Sequence, residues 1–104
     1  MGSKINVAVR GMSMSDAPSV FKTKVLKSQI SLSDQITDID TKYVIKWNFD
    51  MHGEELTIPN NCILDFDGGQ ISNGTIHWND TKVLNRYRYV ILVDVTEDGD
   101  KIEL

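Results

Sequence analysis

Apolar positions in this chain recur in short separated groups rather than in helical stripes. From Tyr43 onward they alternate with polar ones for roughly three to five residues, then break at Gly, Asn, Asp or Pro. A period of two predicts strands. Tyr43, Ile45, Trp47 and Phe49 fall on one side of the first, Glu55–Ile58 forms a second stopped by Pro59, and Cys62–Phe66 a third. Gln70-Ile71, Gly74–Trp78 and Thr81–Leu84 read as strands too short to pair alone. The turns at Gly68-Gly69 and Asn73-Gly74 offer residues that tolerate positive φ.

One apolar residue per short strand stands out: Leu56, Ile63, Ile71, Ile76 and Val83, with turn residues between each pair. Strands this short, turning at nearly every Gly or Asn, suit a parallel β-solenoid with these five side chains in a central stack. An irregular β-sandwich is the alternative. Upstream, Ile5–Val9 reads as a short strand and Gly11–Ser19 as a Ser/Gly/Pro linker. Val20–Leu26 reads as a strand with Lys22 and Lys24 on its wet face, and Ser31–Thr41 holds one helical turn with Ser31, Ser33 and Asp34 as caps. Downstream, Tyr87–Val95 predicts a long strand, Thr96–Asp100 an acidic hairpin turn, and Lys101–Leu104 its return.

At 104 residues the chain is a single small domain with an arm, and its own core is marginal. Charge sharpens that division. Residues 1–30 carry five basic side chains (Lys4, Arg10, Lys22, Lys24, Lys27) against Asp16 alone, whereas residues 31–104 carry six basic against fourteen acidic ones. The basic front suits an arm lying on an acidic partner or, equally, an arm that is merely solvated and mobile. Its scattered cations, with Phe21 as their one aromatic, make a poor nucleic-acid surface. No apolar run approaches a membrane span, and no charged-then-apolar leader follows Met1, so neither membrane insertion nor a secretory signal is expected.

Candidate chemistry is sparse. His52 and His77 stand in different turns with no ligand spacing, and the lone Cys62 lies in an apolar strand, so no metal site or cofactor is expected. Asp65 and Asp67 beside Gly68-Gly69 resemble a fragment of a calcium loop without its other oxygen ligands, and read as surface acids at a turn. Asp50, Glu54 and Glu55 supply carboxylates but no opposed acid–base pair. Asn73-Gly-Thr and Asn79-Asp-Thr match the glycosylation sequon and are read as turns. Trp47, Trp78, Tyr87 and Tyr89 are the candidate contacts for a protein partner or a glycan.

The run Tyr43–Gly53, with Leu56-Thr-Ile-Pro59, Cys62–Gly69 and Ile71–Ile76, resembles the opening module of right-handed, pectate-lyase-like β-helix proteins. Those are fibre and spike proteins of gut Bacteroidales and their crAss-like tailed phages. The resemblance implies an all-β, truncated right-handed parallel β-helix. Added to the reading above, this gives an arm (1–30), a solenoid module (31–86) and a capping hairpin (87–104). It also implies a non-enzymatic virion structural protein, either a small fibre, a capsid-decoration subunit or an adaptor. Such a subunit would form a homotrimer or, second, a dimer, and contact other capsid, fibre or tail proteins. Lys4, Arg10, Phe21, Lys22 and Lys24 would mount it. Gly68, Gly69, Asn73 and Gly74 would make its turns. The alternative function is a module binding host-surface carbohydrate. The family's lyase groove lies on later coils, which this sequence is expected to lack.

Overall fold

Residues 22–104 are described in the computed structural model. The expected strand at Ile5–Val9, the linker, and the arm residues Lys4, Arg10 and Phe21 lie outside them. The order is β1 (Lys22–Val25), α1 (Leu32–Gln35), β2 (Thr41–Ile45), β3 (Asn48–Asp50), β4 (Glu55–Thr57), β5 (Ile63–Phe66), β6 (Gln70–Asn85) and β7 (Leu92–Glu103). Every pairing is parallel. The sheet winds into a β-solenoid of about four turns, as the spacing of apolar residues predicts.

Register defines three faces. On the first, Lys24 lies beside Tyr43, Tyr43 beside Leu64, Leu64 beside Val83, and Val83 beside Glu103. The second stacks Phe49, Ile71 and Leu92, and the third stacks Leu56, Ile76 and Glu97. Each coil therefore takes about 20 residues, at the lower end for solenoid repeats.

Corners explain the repeat. Asp40, Asn61 and Asp80 each precede a first-face strand segment, and all three hold left-handed backbone with φ between 53° and 59°. His52, Asn73 and Asp94 do the same between the second and third faces, with φ between 52° and 59°. Asn and Asp tolerate this conformation best among residues with a Cβ. Their side chains also tie coils together: the Asn61 Nδ2 group donates to Asp40 Oδ1 at 2.9 Å, and Asn73 Nδ2 donates to Asp50 Oδ1 at 3.1 Å.

Leu56, Ile71, Ile76 and Val83 point inward and are buried. Ile63 does not. Cys62 and Leu64 take the inward positions instead, with no exposure, because the corner at Asn61 sets the phase of β5 one residue away from the simple alternation. Trp47 is likewise off the inner face and 51% exposed, since the chain turns between β2 and β3. Tyr43 is fully buried, and its hydroxyl accepts from the Thr37 and Asp38 amides (3.1 and 2.8 Å) and donates to Asp38 O. Leu32 of α1 and Ile36 just after it pack into the core at this end of the described residues. Gln35 beside them holds the preceding turn by bonds to Lys27 and Ile30.

The expected C-terminal hairpin is absent. β7 runs parallel to β6 from Ile71↔Leu92 to Val83↔Glu103 and forms a further coil. Tyr87–Ile91 is a corner loop rather than strand. Within the acidic Thr96–Asp100 segment, Gly99 (φ +86°) lies so close to Trp78 that a Cβ would meet its carbonyl oxygen at 2.1 Å. That close approach makes a bulge and a solenoid corner, not a reversal. The short strands expected between Gln70 and Leu84 are likewise one continuous strand that bends at each corner.

Candidate functional site

Among the described residues, the corner between the first and second faces gathers most of the exposed aromatic surface. It stacks Lys46-Trp47 of one coil, Asp67-Gly68-Gly69 of the next, and Arg86–Val90 of the one after. Trp47 and Tyr87 are 51% and 63% exposed. Tyr89 stacks on Tyr87 with centroids 6.1 Å apart and planes 21° apart, and its hydroxyl donates to Gly69 O at 3.0 Å. Burial pushes that phenol up. Asn85 sets the loop, accepting from the Tyr87 and Arg88 amides and donating to Tyr89 O at 2.7 Å.

Glycine makes the floor of this corner. A Cβ at Gly69 would stand 2.6 Å from both Ile45 Cγ2 and the Trp47 carbonyl oxygen, so only glycine lets the coils meet here. Gly68 next to it has φ +96° and open space outside. Gly74, also expected as a turn, instead lies inside β6 against Met51, while Asn73 does turn a corner.

An ion network anchors the loop from beneath. Asp65 is not a surface acid: it is fully buried, with Arg86 Nε and Nη2 on its two oxygens at 2.9 and 2.5 Å and Lys42 Nζ at 3.6 Å. The hydrogen bond from Arg86 and its charge offset the desolvation of the carboxylate. Asp65 in turn holds the Arg86 guanidinium above its usual range. Asp67 takes Lys46 at 2.8 Å, and that bond, with a second from Tyr87, lowers its carboxyl.

The remaining candidates lie elsewhere. Trp78 is buried at 5% exposure, donates its indole N–H to Glu97 Oε1 at 3.1 Å, and is covered by Lys101 at 5.3 Å from the ring, so it offers no open contact surface. Lys22 and Lys24 are exposed on β1. His52 is a corner residue whose amide donates to Asp50, which lowers that carboxyl. His77 stands outward on the third face between Glu55 (2.8 Å from Nε2) and Asp98 (2.7 Å from Nδ1), which hold its pKa above the usual value in that order. Cys62 Sγ donates to Asp38 O at 3.1 Å, and burial raises its thiol pKa. Among the described residues no cluster of three or more His, Cys, Asp or Glu side chains is placed to hold a metal ion.

Sequence reasoning singled out the aromatics but missed Arg86, Asn85 and the buried role of Asp65. Their signal is register: Asp65 and Arg86 come together only once coils stack about 20 residues apart. Compared with family models, curated proteins and solved structures, the chain has no significant match.

Proposed function

We propose that the chain is a non-enzymatic structural subunit of a bacteriophage virion, a small fibre, decoration or adaptor protein that assembles with copies of itself. The observation that supports assembly is the outer edge of β7, a strand of 12 residues that pairs only with β6 among the described residues. Its apolar side chains are incompletely covered: Ile91, Leu92 and Val95 are partly buried, while Val93, Ile102 and Leu104 are exposed. An unpaired edge of that length is a template for another strand. The virion setting rests on the resemblance of Tyr43–Leu84, which also implies a trimer; the basic residues up to 30 are the proposed mounting arm. Light scattering on the full chain at micromolar concentration is expected to give a multiple of the chain mass. A stable monomer that unfolds cooperatively would overturn the reading.

A second reading is supported by the aromatic corner. Exposed Trp47 and Tyr87 flanking a glycine floor, with Lys46 and Arg88 nearby, suit stacking on a sugar ring of a host-surface glycan. Titration with bacterial surface polysaccharides should quench Trp47 fluorescence, and Trp47→Ala should remove the response. Saturation unaffected by that substitution would overturn it.

A further inference from the structure

The two ends of the solenoid carry opposite charge at the same inward position. On the first face, the positions beside Tyr43, Leu64 and Val83 point into the core, and these three are all buried. Continued in register, that position is Lys24 on β1 and Glu103 on β7. Both side chains are charged and exposed where the stacked pattern calls for an apolar one. Inward-facing charge on an edge strand blocks pairing with any partner that lacks the opposite charge.

From this we infer that the acidic β7 edge of one copy receives the basic β1 edge of a second copy, head to tail, so that the parallel ladder of the first face continues from one copy into the next. The inference rests on the self-assembly reading above and names its geometry. Register places Lys24 of the incoming copy over Glu103, Thr23 over Ile102, and Val25 over Leu104. Val25 (51% exposed), Ile102 (46%) and Leu104 (67%) would then share one covered strip. Lys22 comes to stand over Lys101; Lys22 has Asp38 at 3.4 Å, and Lys101 has Glu97 at 2.6 Å and Glu103 at 3.2 Å, so the incoming Lys24, which donates to Gln35 O in its own copy, joins Lys101 on Glu103.

Polarity follows from the wider charge. β7 holds Asp94, Glu97, Asp98, Asp100 and Glu103 against Lys101, whereas the β1 strand itself holds Lys22 and Lys24 and no acid; the segment behind it, 26–40, adds Lys27 against Asp34, Asp38 and Asp40. Two β7 edges meeting would bring five acids of one copy against the same five of the other, and two β1 edges would bring Lys22 and Lys24 of both copies together. Like charges placed opposite each other select against both symmetric dimers. A head-to-tail contact is heterologous and repeats without closing, so it gives a stack of growing length in place of the trimer that the resemblance implies.

The test is sedimentation of the full chain across concentration and salt. Weight-average mass should rise continuously with concentration and fall in about 1 M salt, where the Debye length is near 3 Å. Lys24→Glu and Glu103→Lys, each alone, should weaken association at least about tenfold while leaving the circular dichroism of the β fold unchanged. The double variant, and an equimolar mixture of the two single variants, should stack again, because every junction then joins opposite charges. A closed oligomer of fixed mass, indifferent to both substitutions, would overturn the stacking and leave self-assembly standing. A growing stack that both substitutions leave intact, or single variants that neither the mixture nor the double variant rescues, would also overturn it. A monomer under all conditions would remove the self-assembly reading itself.

Discussion

The coil built on β5 and the first part of β6 and the coil built on β7 pair in parallel and share the corner made by Asn73 and Asp94, yet they bury very different amounts. Ile71 and Ile76 in the former have no exposure at all. Leu92, directly over Ile71, is only partly buried, and Val95 beside it is the same. Composition accounts for part of this, since Glu97 lies over Ile76 and Glu103 over Val83; the exposure of Leu92 and Val95 has another cause. The inner coil has a neighbour above and below, and the outer coil among the described residues has one below only. In a solenoid the core is shared between coils, so a side chain's contribution depends on how many coils flank it.

The sharpest way to test this contrast is to truncate matched side chains. Ile76→Ala should cost about 3 to 4 kcal/mol, because its cavity is enclosed by coils on both sides. Leu92→Ala removes as much side chain but should cost only about 1 kcal/mol, since part of it is already in water. Urea unfolding would show both; equal losses would mean that the last coil is as well covered as the inner ones.

Next in size is Asp65→Ala. It leaves Lys42 and Arg86 facing an apolar pocket in place of a fully buried carboxylate. We expect a loss of about 2 kcal/mol, below the range for wholly buried pairs because Arg86 is half in water. The loop from Arg86 to Val90 should loosen with it, read as faster amide exchange at Tyr89. Unchanged exchange there would show that Asn85 alone fixes the loop.

The smallest effect is pH-dependent and concerns how the last coil is held. His77 links Glu55 on β4 to Asp98 on β7, and both raise its pKa above the ordinary 6.5. A raised histidine pKa contributes stability that is complete below the unfolded value and is lost as pH rises through the folded one. Exchange of β7 amides should therefore quicken as pH rises above about 6.5, by more than the intrinsic pH effect. His77→Gln should remove the excess.

The fold was legible where alternation and turn residues agree. Leu56, Ile71, Ile76 and Val83 fall inward as their spacing predicts, and α1 lies within the segment read as one helical turn. Period-two alternation says nothing about whether the next strand runs parallel or antiparallel, so Tyr87–Leu104 was open to a hairpin reading. The information that decides it is weaker and longer in range. Asp94 continues the row of His52 and Asn73, and Gly99 falls where only glycine fits against Trp78. Of the candidate site, exposed aromatics were legible as types, but Trp78 was hidden by a strand above it, and Asp65 met Arg86 only through register. Pairwise chemistry across coils is invisible until the repeat length is known.

The rows of left-handed Asp, Asn and His residues also make the molecule a ruler. Each coil advances the axis by one strand spacing, about 4.8 Å, and each returns the chain to the same corner in the same backbone conformation. A stretch such as 41–61 begins after one such residue, Asp40, and ends on the next, Asn61. A duplicated or excised stretch of that kind would rejoin the chain without a new turn being invented, changing the length of the body in fixed increments while its cross-section stays the same.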